Sequence, residues 1–453
     1  MTALWTGADV AAATGGSLSD PFEVEGVTFD SREVIGGELF VAMRGEQADG
    51  HKFVDMAATR GAAGFLVEQP VDHPHVRVTD SFTALQALGV AARRRTDATI
   101  IGVTGSVGKT GTKEALRLAF ERIAPDATHA SVKSYNNHTG VPLSLSRMPA
   151  ATRFGVFEMG MNHVGELAGL TRLVRPHVAL ITWVTAAHIA HFPGGEAEIA
   201  GAKAEIFEGL EPGGTAILPA DNDHAPLLAA AAARHAAHSI SFGWKTGADV
   251  RVVTADIGPS STALVADVMG EEVHCSIGMA GRHWVNNALA VLAAVKAAGG
   301  DLAEAGLALA SLKDLPGRGA RVTLQVAGGT ATLIDESYNA NPLSMAAALA
   351  VLRDSPAKRR LAVLGAMREL GDETDARHAA LAAPVAEAGV AELALVGPEM
   401  AALRLDGASH LADAAAALAW ARATLRDGDV LLVKGSNSIG LGKLVAALKE
   451  ASL

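Results

Sequence analysis

The sequence predicts an α/β protein with three domains: a small N-terminal α/β domain, a central parallel-sheet domain and a C-terminal Rossmann-like domain. Three observations predict it. A chain of 453 residues is long enough for two to four domains of roughly 100–200 residues each. Apolar strands alternate with helical patterns from residue 96 onward. A turn-rich stretch at Pro316–Gly319 divides that region into two units. We expect the domains at 1–95, 96–314 and 315–453.

The first domain contains short strand-like segments separated by turn residues. They lie at Val27–Phe29, Leu39–Ala42 and Gly64–Val67. Helical patterns occupy Phe53–Arg60 and Phe82–Arg95. This texture predicts a small, separate α/β unit.

The other two domains show the βαβ rhythm of doubly wound sheets. The segment at Thr112–Arg122 and the segment that contains Asn286 through Lys296 have helical patterns. The expected strands are Thr99–Val103, Phe154–Glu158, His177–Val184 and Thr215–Leu218 in the central domain, and Ala331–Ile334, Leu361–Leu364, Leu393–Val396 and Val430–Val433 in the C-terminal domain.

Composition excludes several classes of function. Hydrophobic residues make up 49% of the chain and charged residues 19%, with a net charge of −11, so neither nucleic acid nor an anionic membrane is the expected partner. The single cysteine, Cys275, excludes an internal disulfide, and we find no signal peptide and no membrane span. We therefore expect a cytoplasmic protein without stable membrane insertion, and a monomer.

The strongest local signal is the segment Ile100–Thr110, which joins a strand to a helix through a glycine-rich turn. Such a turn gathers backbone N–H groups at the positive end of a helix, a geometry that binds phosphate oxygens. Lys109 can reach the terminal phosphates of a nucleotide and the Thr110 hydroxyl can ligate Mg²⁺. Val103 stands where the common pattern has glycine, so this is the shorter G-x-x-G-K-T form; a βα turn without function is the alternative. The residues expected to contact the nucleotide are Gly105, Ser106, Val107, Gly108, Lys109, Thr110 and Gly111.

Three further polar residues follow strands or lie in the next helix of the central domain. Glu158 ends one strand, His188 follows another, and Lys203 lies in the segment AKAEIF. Groups beyond the carboxyl ends of parallel strands face the ligand crevice, so Glu158 is placed to hold Mg²⁺ near the nucleotide. Taken singly, each residue is also compatible with an ordinary solvated or satisfied side chain.

The order of the motifs resembles the Mur ligase family over essentially the whole chain. The matching segments are TGSVGKTGT, EMGMNH, VTAAH, AKAEIF, PADND, GRHWVNNALA, PGR and DESYNANP. The segment DSREVIGGELFVAMRGEQADGHKF is similar to the UDP-binding domain of that family. SYNANP and LGAMRELG resemble the member that adds a dipeptide, and the Asp-Asn-Pro-Arg motif expected of the diaminopimelate- or lysine-adding member is missing.

The resemblance implies ATP-dependent ligation of D-alanyl-D-alanine to UDP-N-acetylmuramoyl-tripeptide through an acyl phosphate. Lys109, His188 and Lys203 are the implied catalytic residues. The implied cofactors are ATP, two Mg²⁺ ions and a carbamylated Lys203, with Thr110, Glu158, His188 and Lys203 at the metals. Only about one lysine in ~10³ is neutral at pH 7 at the ordinary pKa, so the site must favour the carbamate. His191 is a candidate base for the incoming amine.

The resemblance also implies the nucleotide and substrate contacts. Asn287 and Arg318 match positions that hold adenine and phosphate, and Glu336 matches one near the ribose, where many relatives have aspartate. Gly111 departs from the family's usual serine, so a side-chain contact to phosphate is lost while the backbone N–H remains. The expected substrate-binding residues are Ser31, Arg32, Asp49, His51, Asn136, Asn137, Tyr338 and Asn339; in the first domain, turn capping is the alternative role.

Two other functions compete with this hypothesis. Folylpoly-γ-glutamate synthase shares the ATPase core and the ligase chemistry, but it lacks a UDP-binding first domain. A non-catalytic nucleotide switch is the second alternative, and the combination of Glu158, His188 and Lys203 with Lys109 disfavours it. The identity of the third peptide residue, diaminopimelate or lysine, stays open.

Overall fold

The strands of the computed structural model, which describes residues 3–45, 48–312 and 315–450, form four sheets. A two-stranded pair and a five-stranded sheet belong to the first domain, a nine-stranded sheet forms the central domain, and a six-stranded sheet forms the C-terminal domain. The expected three-domain α/β class is confirmed. The exact boundaries stay a prediction, and the one at 314/315 touches residues 313–314, which lie outside the described residues.

The first domain has a mostly parallel sheet in the order β2-β7-β6-β5-β4, with only β2 antiparallel. The helix expected at Phe53–Arg60 is shorter, because a 3₁₀ turn at Gly50–Phe53 precedes it. The elements are β1 Trp5–Thr6, α1 Gly7–Thr14, β2 Ser17–Leu18, β3 Glu23–Val24, β4 Gly26–Thr28, β5 Glu38–Val41, α2 Val54–Thr59, β6 Gly64–Val67, β7 His75–Arg77 and α3 Ser81–Arg94.

The central domain has the strand order β16-β15-β14-β13-β12-β11-β8-β10-β9. The strands are parallel from β9 to β14, and β14, β15 and β16 form an antiparallel meander. The strands are β8 Thr99–Thr104, β9 Thr128–Ala130, β10 Phe154–Glu158, β11 Val178–Ile181, β12 Thr215–Pro219, β13 His238–Gly243, β14 Val250–Ile257, β15 Thr262–Val268 and β16 Glu271–Ile277. The helices are α4 Lys109–Ile123, α5 Gly140–Ser146, α6 Glu166–Val174, α7 Gly195–Ala204, α8 Ala225–Ala232, α9 Arg282–Ala297 and α10 Leu302–Ala310.

The C-terminal domain has the order β17-β18-β22-β19-β20-β21, and every pair is parallel except the β17–β18 hairpin. Its strands are β17 Ala320–Val326, β18 Gly329–Glu336, β19 Arg359–Gly365, β20 Val390–Val396, β21 Ser409–Leu411 and β22 Asp429–Lys434. Its helices are α11 Pro342–Arg353, α12 Thr374–Ala379, α13 Ala382–Glu387, α14 Ala414–Thr424 and α15 Leu441–Glu450.

Strand β8 lies between β10 and β11, with apolar layers on both faces of the sheet. One layer contains α4 and α9, and Phe120 of α4 stacks on Phe154 with ring centroids 4.4 Å apart. The helix expected from Thr112 begins earlier, at Lys109, because the phosphate loop leads directly into it. The strand expected over His177–Val184 is only β11, since the chain leaves the sheet after Ile181 to form a loop. The described helices are all too short or too polar to cross a membrane.

Protonation of His129, on the edge strand β9, should destabilise the fold in acid. Burial lowers its pKa from 6.5 to about 4, and its Nε2 lies 2.8 Å from the Ser144 carbonyl oxygen. The unfolded chain therefore binds a proton near pH 6.5 that the folded chain binds only near pH 4. The free energy of unfolding should rise with pH across that window, by at most about 3 kcal/mol from this group.

We expect His129→Gln, which keeps an amide donor near Ser144, to remove this part of the pH dependence. Urea unfolding at several values between pH 4 and pH 7.5 measures it. The free energy of unfolding of the variant minus that of the unchanged protein should be more positive at the acid end of this pH range than at the neutral end. Parallel profiles for the two proteins would contradict this assignment.

Candidate active site

The loop between β8 and α4 has the geometry of a phosphate cradle. Gly105 and Gly108 adopt φ angles of 151° and 87°, and a Cβ on Gly105 would lie 1.9 Å from the Thr182 hydroxyl, so glycine is required there. The Ser106 N–H donates to the Trp183 carbonyl over 2.7 Å. The Lys109 Nζ folds back onto the Gly105 carbonyl at 2.6 Å. The loop is thus held in shape by the neighbouring strand end.

Thr110 and Glu158 meet at the carboxyl ends of two adjacent strands. In the parallel pairing of β8 with β10, Glu158 lies opposite Val103, and the Thr110 hydroxyl donates to Glu158 Oε2 over 2.8 Å. Asn136 Nδ2 donates to the other carboxylate oxygen over 2.8 Å. Glu158 is 1% exposed. The predicted metal ligands Thr110 and Glu158 and the predicted substrate residue Asn136 therefore belong to one cluster.

His188 lies in the loop after β11, where it meets the C-terminal domain. Its Nδ1 forms a hydrogen bond with the Glu369 carboxylate, and the Ala190 N–H donates to the Glu369 carbonyl over 3.2 Å. Both His188 and Glu369 have left-handed backbones, with φ of 60° and 63°. Burial lowers the pKa of His188, and the charges of Lys109 and Lys203 lower it further against the opposing effect of Glu369.

Lys203 lies near the end of α7 and is 3% exposed. Burial, and then the positive charge of Lys109, lowers its pKa well below the ordinary lysine value. Its amine has no ion-pair partner in the described part of the chain. The positive charge of Lys109 thus lowers the pKa of both Lys203 and His188. No carboxylate side chain among the described residues pairs with the Lys203 amine.

A segment at residues 131–136, the bridging segment, connects the phosphate-loop helix to both other domains. The fully buried Lys113 donates to the carbonyls of Ser131 and Lys133 over 2.9 and 3.1 Å. The side chains of Lys133 and Tyr135 both bind Glu33 of the first domain. Beside them, the Ser134 hydroxyl lies 3.5 Å from the Thr110 hydroxyl. It lies equally far, 3.5 Å, from a guanidinium nitrogen of Arg318, from the turn before the C-terminal domain.

Of the other residues predicted to hold the nucleotide, Asn287 packs on the phosphate loop, whereas Arg318 and Glu336 lie at the start of the C-terminal domain. A Cβ on Gly108 would lie 2.8 Å from Asn287 Oδ1, so the amide of Asn287 packs directly on the phosphate loop. The Arg318 guanidinium lies 4.1 Å from the ring centroid of Tyr338. Glu336 receives Lys434 Nζ at 3.2 Å. That lysine also donates to the Asn339 carbonyl over 3.0 Å, so Asn339 contributes backbone to the site.

The predicted residues of the first domain divide into two groups. Ser31 is buried, with only the Met56 sulfur near its hydroxyl at 3.4 Å, while Arg32 is exposed and paired with Asp30 at 2.7 Å. His51 has both ring nitrogens engaged: Nδ1 with Asp49 at 2.7 Å, and Nε2 with the N–H of Glu68 at 2.9 Å. Arg32 is thus exposed but engaged by Asp30, Ser31 lies beneath the surface, and His51 and Asp49 hold the turn together.

Asn137 has a local role that differs from that of Asn136. Its side-chain oxygen accepts the N–H groups of Thr139 and Gly140 over 3.3 and 2.9 Å, at the start of α5. The side chain that turns toward Glu158 is that of Asn136 alone. The expectation that both asparagines contact substrate stays a prediction, and the geometry favours Asn136.

Mg²⁺ fits the donor set that Thr110 and Glu158 provide. Oxygen ligands suit this ion, which is commonly bound by one or two carboxylates together with substrate phosphates and water. Among the described residues there is no group of three or more His, Cys, Asp or Glu side chains that could hold a metal. A site built from Thr110, Glu158 and the phosphates of a nucleotide is consistent with that finding.

Three family models match the chain in succession. They are the Mur ligase family catalytic domain at residues 23–94, the Mur ligase middle domain at 103–295, and the Mur ligase glutamate ligase domain at 317–437. The chain is 35% identical to the UDP-N-acetylmuramoyl-tripeptide–D-alanyl-D-alanine ligase of Synechocystis, covering 95% of this chain and 93% of that one. It belongs to the Mur ligase family.

Other relatives agree with this membership. The ligase of the same name from Escherichia coli is 34% identical over 94% of each chain. A crystal structure of MurF from Acinetobacter baumannii superimposes with a TM-score of 0.85 at 31% identity, covering 98% of this chain and 99% of that one. MurF from Thermotoga maritima in complex with ADP gives 0.76 at 25% identity, with coverages of 94% and 97%. The resemblance inferred from the motifs is confirmed.

Sequence reasoning missed several residues that the structure places at the site. Glu369 lies within the quoted motif LGAMRELG, but the motif itself does not indicate that its carboxylate reaches His188. Glu33 and Lys133 are 100 positions apart, and only folding brings them together. Trp284 lies within GRHWVNNALA and packs on the first turn of α4.

We expect Glu369→Ala to loosen the loop at Ile189–His191, because the carboxylate that holds His188 across the domain boundary is lost. The pair is partly exposed, and such pairs contribute about 0.5–1 kcal/mol. Hydrogen exchange at Ala190 should therefore become about two- to fivefold faster. Glu373→Ala, on the same loop but paired only with Arg377, is the control. Unchanged protection in Glu369→Ala would show that the hydrogen bond between His188 and Glu369 does not hold this contact.

Proposed function

We propose that this Mur ligase joins D-alanyl-D-alanine to UDP-N-acetylmuramoyl-tripeptide with the use of ATP. The observation that carries the proposal is the alignment, over nearly the whole of both chains, with relatives that bear this name. The site supports it, since a phosphate cradle, a buried carboxylate and cationic side chains lie together where three domains meet. The proposed domains are 1–95 for the UDP-substrate, 96–314 for ATP and 315–453 for the C-terminal ligase unit.

The reaction has two steps. A carboxylate oxygen of the tripeptide attacks the γ-phosphorus of ATP, the bond from that phosphorus to the bridging oxygen breaks, and ADP leaves. The neutral amine of the dipeptide then attacks the acyl carbon, phosphate leaves with its oxygen, and the nitrogen loses a proton. Lys109 and the loop N–H groups stabilise the charge on the transferring phosphoryl group. Mg²⁺, when bound, neutralises part of that charge.

Thr110 and Glu158 would hold the first Mg²⁺, and Glu158 is oriented for this by Asn136. His188 would face the second, with its ring turned by Glu369 through Nδ1. A carboxylate that orients a ligating histidine in this way also fixes its tautomer. His191, whose ring lies 5.0 Å from that of His163, is the proposed base for the dipeptide amine.

Lys203 would act as a carbamate. Its neutral amine adds to CO₂, the new N–C bond forms, and one proton leaves, so that a cation is replaced by an anion with two oxygens suited to Mg²⁺. The lowered pKa of Lys203 supports this, because the reactive form is the neutral amine. A lysine that stayed an ammonium would repel both Lys109 and the metal ions.

The UDP-substrate would bind to the first domain through Ser31 and Arg32, whose planar guanidinium can pair with two diphosphate oxygens. Glu33 is the next residue and binds Lys133 and Tyr135 of the bridging segment. The Ser134 hydroxyl of the same segment lies 3.5 Å from the Thr110 hydroxyl. Tyr338 and Asn339 would face the substrate from the C-terminal side. A monomer in the cytoplasm, a reducing compartment that suits the one cysteine, completes the proposal.

Release of phosphate from ATP should require both UDP-N-acetylmuramoyl-tripeptide and D-alanyl-D-alanine. We expect Lys109→Ala to abolish it, because the loop loses the charge that reaches the γ-phosphate. Thermal unfolding is the control, and it should be little changed. Phosphate release independent of the dipeptide would contradict the proposed ligase. A loss of stability of about 2–5 kcal/mol, as for a core cavity, would make Lys109 a structural residue.

Lys203→Ala should be nearly inactive, and an excess of a short carboxylic acid should restore part of the activity by occupying the vacated space. Lys203→Arg should not respond, because its guanidinium keeps the positive charge and fills the site. The measurement is the rate of ADP formation with and without acetate, at fixed bicarbonate. Near-normal turnover of Lys203→Arg would exclude a carbamate.

A further inference from the structure

Trp284 occupies a position between the phosphate-loop helix and the turn that leads to the C-terminal domain. It lies in the first turn of α9 and is 4% exposed. A Cβ placed on Gly111 would come within 2.8 Å of Cη2 and 3.1 Å of Cζ3 of its indole. A Cβ placed on Gly319 would lie 4.0 Å from Nε1, at the other end of the ring. The indole therefore spans the distance between these two glycines.

The contact of Trp284 with Gly111 explains why glycine stands at position 111 in place of the family's usual serine. Gly111 is the third residue of α4, and its own φ is not left-handed, so backbone conformation does not require glycine. The requirement is steric: carbon contacts below 3.0 Å do not occur without a shift of the neighbour, and the neighbour here is the rim of a buried aromatic ring. In close-packed surroundings such a shift is costly. The indole takes the space that a side chain at position 111 would need.

The other end of the indole carries an unused donor. Within the described part of the chain, Trp284 Nε1 has no hydrogen-bond acceptor, and it is not among the fully enclosed polar atoms that lack a partner. The donor is therefore accessible from a cavity or from solvent. By contrast, Nε1 of Trp5 donates to the Ser146 carbonyl and Nε1 of Trp244 donates to Asn286, each over 2.8 Å. An interior tryptophan N–H ordinarily finds a partner, so a donor that is open to a cavity is available to a bound ligand.

That donor borders a cavity of about 180 Å³ between the central and C-terminal domains. Complete ligands usually occupy about 300–1,000 Å³, so the cavity suits part of a nucleotide. Glu336 and the neutral ring of His283, whose pKa burial lowers, also line it. The phosphate loop lies on the opposite side of Trp284. A nucleotide whose phosphates bind that loop can therefore extend its nucleoside part toward this cavity.

We propose that Trp284 is a nucleotide-binding residue whose ring is matched to Gly111 and whose indole N–H donates a hydrogen bond to the nucleoside part of the bound nucleotide. The inference rests on the proposed function, since it takes ATP as the ligand of the Lys109 loop. The acceptor for the Trp284 N–H is thus an atom of the nucleoside. The absence of a side chain at position 111 is explained by the packing of this ring.

The matching of Trp284 and Gly111 is tested by a double-mutant cycle on the full chain. Gly111→Ala should raise the Kd of MgADP, measured by calorimetry, because the added methyl displaces the indole. Trp284→Phe lacks the outer rim of the indole, so Gly111→Ala should have a several-fold smaller effect in that background. Equal effects of Gly111→Ala in both backgrounds would overturn the matching. Thermal unfolding of each variant verifies that it is folded.

The donor is tested separately by placing benzothienylalanine at position 284 alone, which keeps both rings and replaces the N–H by sulfur. The Kd of MgADP should rise about five- to tenfold, the effect of one lost hydrogen bond. Trp420→Phe, in the C-terminal domain, is the control and should leave the Kd unchanged. A Kd within twofold of that of the unmodified protein would overturn the donor role.

Failure of the proposed function and failure of the role assigned to Trp284 give different experimental results. If the unmodified protein binds neither MgADP nor MgATP, or if Lys109→Ala binds them equally well, the proposed function falls and the inference falls with it. If the unmodified protein binds MgADP and Lys109→Ala does not, while the benzothienylalanine variant binds normally, only the role of Trp284 as a donor is overturned.

Discussion

The parallel pairing of β8 with its neighbours is the constraint on which the rest of the site depends. Because β8 lies between β10 and β11 in one parallel sheet, three strands end at the same edge. The loop after β8 carries Lys109 and Thr110, β10 ends in Glu158, and the chain after β11 leads to His188. A single hydrogen bond, from Thr110 to Glu158, then joins residues 48 positions apart. The chemistry follows from that shared edge.

Contacts between domains complete this edge. Glu33 of the first domain is held by Lys133 and Tyr135, Arg318 reaches Ser134, and Glu369 reaches His188. Each contact joins an outer domain to a segment of the central domain that contributes residues to the site. A reaction among ATP, a UDP-linked substrate and a dipeptide requires such a meeting of surfaces, since the three must bind with their reacting atoms close together.

The expected strands of the parallel sheets appear in the structure, because continuous apolar runs and the glycine-rich loop are local signals. The antiparallel meander β14–β16 was not expected, nor was strand β17, which pairs with the expected strand β18 in a hairpin. In β15 alternate residues are buried, and such short alternating segments are easily overlooked beside stronger βαβ patterns. At the site, Asp49 and Asn137 accept hydrogen bonds from nearby backbone N–H groups, and their predicted contacts with substrate stay predictions. A sequence cannot distinguish an oxygen used locally from one that faces a ligand.

By itself, the sequence determined the α/β class and the family, and it predicted the residues proposed to carry the chemistry of the central domain: Lys109, Thr110, Glu158, His188 and Lys203. Those residues belong to contiguous motifs, and contiguous motifs are visible in a sequence. Only the tertiary structure decided what surrounds them. Three features join segments that are far apart in the chain: the burial that lowers the pKa of Lys203, the hydrogen bond of Glu369 with His188, and the packing of Trp284 on Gly111. Such contacts arise from the packing of distant segments within the central domain and across its boundary with the C-terminal domain, which local patterns of residues do not encode.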